Sequence, residues 1–305
     1  MDIFTTMITP YQKNGEVDLA TAERYVDFYF EGGLSGIFAI CQSSEIFYLS
    51  LEERVALNRC VYRRAKELSR RHGRPFTVVS SGHVSDSLDG QARELNAVYE
   101  SGTDALILIT NRLDVQNEGD DTFIKNAEWL ISRLPKEARL GLYECPYPYK
   151  RLMTPRLLEW CLSTGRFDYM NDTCCDAATI AERCRLLAGS SLRLLNANCQ
   201  TLLSSLRDGA MGYCGVMANF HPRLYARLCE CYRDSERAEP LQALLGTLGF
   251  TEGALPYPLT AKYHMTLCGI PTEPTARCRK DLLTPYACDC IRQMKLLTDR
   301  AESLL

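Results

Sequence analysis

Three short stretches of this chain concentrate side chains that can hold a polar ligand or move a proton. One runs from Asn171 through Asp172, Thr173, Cys174 and Cys175 to Asp176; another is Tyr143-Glu144-Cys145; a third is Cys41-Gln42-Ser43-Ser44-Glu45. A phenol such as Tyr143 can shuttle a proton or donate to an oxyanion. The carboxamide of Asn171 can hydrogen-bond a carbonyl or carboxylate, but its nitrogen is not a nucleophile. Glu45, His83, Glu144 and Asp172 are ligand types that a metal would accept. The four histidines, however, form no His-x-His or His-x-x-x-His pair, and no cysteine spacing matches a zinc site. Neither a metal nor a cofactor is expected. Cys174 could be a thiol nucleophile, but its segment offers no histidine partner, so an inert thiol is the preferred reading. Glu45 is open to a plain structural role in the loop before Ser50, Asp172 to one as a cap, and His83 to one as a loop residue bonded to backbone.

The elements that would position these groups alternate along the chain. Strand-like runs are expected at 4–9, 36–40, 76–80, 105–109, 140–143, 167–170, 192–195 and 213–216, with helical periodicity between them. Ser50 with Glu53 forms a capping box, and Thr154-Pro155 pairs a threonine cap with proline in the first turn. Eight strand–helix units joined by short connections favour a closed (β/α)8 TIM barrel of the α/β class over an open doubly wound sheet. No dinucleotide or Walker fingerprint appears. Helices alone are expected after residue 234, at 241–250, 259–268 and 285–301. The expected division is thus a barrel at 1–234 with C-terminal helices at 235–305 packed on it. In a parallel α/β fold the C-terminal strand ends carry the chemistry, and all three polar stretches follow strands.

Length and composition agree. The 305 residues are 46% hydrophobic and 24% charged, enough for a sizeable core, and the net charge of −3 makes no electrostatic case for nucleic acid or an anionic membrane. No apolar run approaches the ~20 residues of a membrane span, and the N-terminus lacks the features of a signal peptide. Fifteen cysteines without a secretion signal read as reduced thiols in a cytoplasmic protein.

The order of motifs resembles the dihydrodipicolinate synthase / N-acetylneuraminate lyase family over nearly the whole chain. Thr9-Pro10-Tyr11 with Gly15-Glu16-Val17-Asp18 is similar to that family's opening strand and turn, and Glu45 with Leu49-Ser50-Leu51-Glu52-Glu53-Arg54 to its Gly-Thr-Thr-Gly-Glu…Leu-Ser-x-Glu-Glu-Arg. Leu142-Tyr143-Glu144-Cys145-Pro146 resembles Leu-Tyr-Asn-x-Pro. Gly209-Ala210-Met211-Gly212, Ala218-Asn219 and Pro222 resemble Gly-Ala-x-Gly…Ala-Asn…Pro. The resemblance implies a pyruvate-handling aldolase fold and self-association as a dimer or tetramer. It also implies a carboxylate site where the family's Gly-Thr-Thr-Gly is here Cys41-Gln42-Ser43-Ser44, and a Schiff-base lysine where this chain has Asn171.

Without that lysine the chain cannot form the usual iminium there. Tyr143 and Asn171 become the candidate catalytic residues, and Ser43, Ser44, Glu45, Asp172 and Asn196 the candidate substrate-binding ones. Three functions stay open. One is a divergent lyase on a small oxo- or hydroxy-acid without a Schiff base. The others are a catalytically silent metabolite binder and an aldolase with a relocated lysine, Lys150 being nearest along the chain.

Overall fold

A computed structural model describes residues 1–303; the last two residues of the expected C-terminal part lie outside it. Eight parallel strands close into one barrel in sequence order: β1 (Asp2–Thr6), β2 (Gly36–Phe38), β3 (Thr77–Ser80), β4 (Ala105–Ile109), β5 (Leu140–Tyr143), β6 (Phe167–Asp172), β7 (Arg193–Asn196) and β8 (Gly212–Gly215). Eight helices alternate with them: α1 (Leu19–Glu31), α2 (Leu51–His72), α3 (Leu88–Glu100), α4 (Asp120–Ile131), α5 (Pro155–Thr164), α6 (Ala177–Leu187), α7 (Leu202–Arg207) and α8 (Pro222–Cys231). The expected TIM barrel is the observed fold. Each helix turns an apolar stripe onto the barrel; on α1 it is Tyr25, Val26, Tyr29 and Phe30.

Both sequence-level starts hold. Ser50 Oγ accepts the Glu53 amide at 3.2 Å while Glu53 returns a carboxylate to the Ser50 amide at 2.9 Å. Thr154 Oγ1 accepts the Leu157 amide, with Pro155 in the first turn. Closure of the barrel depends on Gly212, where a Cβ would sit 1.7 Å from the Asp2 carbonyl oxygen.

Several boundaries differ from expectation: β1 runs from Asp2 to Thr6 rather than over 4–9, β2 stops at Phe38 rather than at 40, and β3, β7 and β8 shift by one residue. Two further differences have a visible cause. β6 extends to Asp172, because Asn171 and Asp172 pair with Tyr143 on β5 and with Leu195 and Asn196 on β7. The first C-terminal helix, α9 (Ser235–Ala254), begins six residues early, since Asp234 caps it by accepting the Arg237 amide, and it carries Pro240 within. It packs on α7 and α8, and α10 (Leu259–Leu267) packs on α11 (Pro285–Glu302). No helix among the described residues is long and apolar enough to cross a membrane.

Candidate functional site

Side chains alternate between the barrel interior and the helix layer along each strand. On β6, Tyr169 and Asn171 point inward, and Met170 and Asp172 point to the helices. On β5, Tyr143 points inward and the next residue, Glu144, points out. Tyr143 and Asn171 are register partners, so the two expected catalytic residues stand side by side at the top of the barrel.

Above them opens a cavity of about 410 Å³. Gln42, Ser43, Glu45, Phe47 and Tyr48 supply one wall from the turns after β2. Tyr143, Pro146 and Tyr147 supply the next from the end of β5, and Tyr257, Pro258 and Cys278 close it from the C-terminal part. Tyr143 forms the floor, with its ring edge-on to Phe38 at 5.3 Å. Burial, then the neighbouring Cys145, holds its phenol well above the ordinary tyrosine range, so it stays protonated near neutral pH. Below lies a void of about 10 Å³ that Asn171 lines with Phe4, Phe38 and Cys214. Asn171 is 5% exposed, and neither its Nδ2 nor its Oδ1 has a hydrogen-bond partner among the described residues. Leaving a buried amide unpaired costs about 1–3 kcal/mol.

The other expected residues divide. Ser43 lines the cavity and its hydroxyl donates to Thr6 Oγ1 at 3.1 Å. Ser44 is fully buried behind it, its hydroxyl held by the Ala39 and Met7 carbonyls and the Cys41 amide at 2.7, 2.9 and 3.0 Å. Glu45 borders the cavity, but both oxygens are taken: Oε1 by Lys262 Nζ at 3.0 Å, Oε2 by the Arg277 and Cys278 amides at 2.5 and 2.9 Å. It therefore ties the C-terminal strap to the barrel mouth; Glu53, not Glu45, serves Ser50. Lys262 is fully buried, and burial lowers its pKa against the opposing pull of Glu45.

Asp172 and Asn196 face away from the cavity. Asp172 joins Glu144 on the guanidinium of Arg183, from α6, in a fully buried triad. Glu144 Oε1 lies 2.8 Å from Arg183 Nη2 and also accepts the Met153 amide at 2.7 Å. Asp172 Oδ1 accepts the Cys174 amide at 2.9 Å. Burial, and then Asp172, raises the Glu144 pKa. Asn196 spends its Nδ2 on Thr201 and Ser205, each at 3.0 Å, and its Oδ1 on the Asn198 amide.

The residues held in reserve are also accounted for. His83 bonds Gln91 through Nδ1 at 2.9 Å and accepts the Ile109 amide on Nε2 at 2.7 Å, with burial pushing its pKa down to about 4. Lys150 is exposed and donates to the Thr173 carbonyl at 2.6 Å. Burial pushes Cys174 up to about 12, far from a reactive thiolate. Among the described residues no group of three acidic, histidine or cysteine side chains is placed to hold a metal ion. The walls that sequence reasoning missed are Gln42, Phe47 and Tyr48, and Tyr257, Pro258 and Cys278. The first three were in view as the sequence between a strand and a cap. The last three lie beyond the barrel, and no local pattern marks them.

Comparison with known proteins points one way. The model of the dihydrodipicolinate synthetase family matches residues 1–68. A 4-hydroxy-tetrahydrodipicolinate synthase from Saccharophagus degradans is 22% identical over 285 residues, covering 85% of this chain and 93% of that protein. The dihydrodipicolinate synthase of Bacillus anthracis superposes with a TM-score of 0.84 at 18% identity over 97% of each chain. A prophage protein of the dihydrodipicolinic acid synthase family from E. coli K12, solved in complex with pyruvate, gives the same TM-score and identity over 99% of this chain and 98% of its own.

Proposed function

Since the chain belongs to the dihydrodipicolinate synthetase family and carries an amide at Asn171, we propose that it is a lyase-type protein that holds a carbonyl compound without forming an imine. Asn171 stands in the family's lysine position and binds the carbonyl by hydrogen bonding. Tyr143 donates its proton to, or stabilises, the oxyanion that develops there. A small 2-oxo or hydroxy acid is the class that the family resemblance implies, with Ser43 as its nearest additional donor. The observation that carries this reading is the pairing of Tyr143 with an unpartnered Asn171 directly beneath the cavity.

A second reading, a silent binder, is favoured by the shortage of bases. Among the described lining residues, Glu45 is neutralised by Lys262, and burial pushes the Cys278 thiol up to about 11. Tyr143 is likewise held protonated by its burial. Hydrogen-bond donation is therefore available in the cavity, and proton abstraction is not.

The ligand site draws on both the barrel (1–234) and the helical part (235–305), so we treat the two as one functional unit. A cytoplasmic homo-oligomer, dimer or tetramer, belongs to the same proposal. Its support is the exposed face of α11, where Tyr286 and Leu297 lie three turns apart at 74% and 51% exposure.

Intact mass after incubation with pyruvate and borohydride tests the core claim. No adduct is expected on the wild-type chain, and Asn171→Lys is expected to gain one. An adduct on the wild type would restore the aldolase with a relocated lysine, and peptide mapping would name the residue.

A further inference from the structure

The amide assigned to carbonyl binding does not open into the cavity. Asn171 lines the void of about 10 Å³ beneath it, together with Phe4, Phe38 and Cys214. That is about the least space that holds one water molecule, so no carbonyl group fits beside the amide while the void keeps this shape. We infer that Tyr143 is a gate between the cavity and Asn171, with Phe38 as the residue that positions it. The gate presupposes the carbonyl-binding reading and supplies the movement that this reading requires.

Tyr143 lines the cavity and Phe38 lines the void. Their rings meet edge to face at 5.3 Å, so this pair forms the partition between the two spaces. Strand order makes the contact a span. β3 and β4 lie between β2 and β5 on one side and β6, β7, β8 and β1 on the other, so Phe38 reaches Tyr143 across the barrel. Asn171 stands at the level of Tyr143, and Tyr169 stands one level below it, opposite Gly141. There Tyr169 and Phe4 meet at 5.7 Å and line the void from beneath. The strands enclose its sides, so the route to Asn171 runs through the upper pair.

Of the two rings, Tyr143 has room to move. The cavity of about 410 Å³ lies directly above it, and rotation about χ1 carries the ring into that space. Phe38 is 1% exposed and is packed among the side chains that line the void. It therefore serves as the fixed stop against which Tyr143 closes. The Cys145 thiol lies beside the phenol and donates to Gln42 Oε1 at 3.2 Å, a second tie between the β5 and β2 sides. At the rim Phe47 and Tyr147 add a third, edge to face at 5.0 Å. Contacts of this kind are weak beside the cooperative stability of the barrel, so the gate opens without unfolding it.

A native thiol reports on the gate. Cys214, on β8, lines the void and is 1% exposed. Cys161, on α5, is also 1% exposed but is packed in the helix layer, so it reports unfolding instead. Burial raises the pKa of both thiols. Methyl methanethiosulfonate passes its methylthio group to a thiolate and releases methanesulfinate, and peptide mapping follows the reaction at each cysteine. In the wild type Cys214 is expected to react at least about tenfold faster than Cys161. Tyr143→Ala and Phe38→Leu are each expected to raise the Cys214 rate by about tenfold more while the Cys161 rate stays unchanged. Equal rates at the two cysteines in the wild type overturn the gate, as does a Cys214 rate that neither variant changes. If a variant speeds both cysteines together it is unfolding, and the wild-type ratio decides. The borohydride experiment separates the gate from carbonyl binding. An adduct on Asn171→Lys, with Cys214 reacting no faster than Cys161, removes the gate and leaves carbonyl binding. Labelling of Cys214 that depends on Tyr143, with no adduct on Asn171→Lys, leaves the gate and removes carbonyl binding.

Discussion

Replacing Arg183 by Met tests how the barrel holds its two inward-facing residues. Arg183 carries two carboxylates, Glu144 and Asp172, that are each fully buried and each adjacent in sequence to an inward residue, Tyr143 or Asn171. Methionine keeps most of the aliphatic stem and removes the charge. Removing one partner from a buried pair costs about 3–5 kcal/mol, because the other charge stays behind without compensation. Here the Met153, Thr173 and Cys174 amides still support the carboxylates, which keeps the estimate within that range. For 305 residues, an unfolding entropy of about 2.1 cal/mol/K per residue turns ~4 kcal/mol into a fall of roughly 6 °C in Tm.

The pH dependence has a definite sign. Burial and Asp172 raise the folded pKa of Glu144 above its unfolded value, while Arg183 opposes the rise. A carboxyl with a raised folded pKa binds its proton better when folded, so its contribution to stability falls as pH rises from the unfolded value through the folded one. Loss of Arg183 removes the opposing charge and widens that window. The deficit of Arg183→Met should therefore be largest at neutral pH and shrink toward pH 5, as followed by differential scanning calorimetry. A Tm within about 1 °C of wild type, or a deficit that grows on acidification, would refute the assignment of Arg183 as the neutralising charge.

Three further outcomes are expected. Lys262→Met leaves Glu45 buried without its cation, which should cost about 3–5 kcal/mol and speed limited proteolysis of the strap around Arg277; an unchanged cleavage rate would mean that Glu45 does not hold it. Gly212→Ala drives a Cβ to within 1.7 Å of the Asp2 carbonyl oxygen, so the barrel should fail to close and the protein should be recovered insoluble; a soluble variant with native circular dichroism would contradict this. Ser50→Ala removes the cap that accepts the Glu53 amide and should lower stability by about 1 kcal/mol in denaturant titrations; a loss above ~3 kcal/mol would show that Ser50 does more than cap.

The division between sequence and tertiary structure runs along the range of the interactions. Apolar periodicity, the Ser50–Glu53 box and the Thr154-Pro155 start act within a few residues, so the eight units and these two helix starts were legible in the chain alone. So was the placement of Tyr143 and Asn171 at strand ends, since both follow short apolar runs. The two-residue period also puts Glu144 and Asp172 on the face opposite these two. Which face looks into the barrel is a matter of closure, and only the folded sheet decided it. It turned Asp172 toward Arg183 and Asn196 toward Ser205, away from the cavity. Ser44 disappeared behind the Ala39 and Met7 carbonyls for the same reason. The longest reach belongs to Glu45, whose cation, Lys262, is 217 residues away. No local pattern encodes such a pairing, because a buried charge is assigned its partner by whatever chain is folded against it. The same holds for Tyr257 and Cys278, which became walls of the cavity only when the C-terminal helices docked on the barrel mouth.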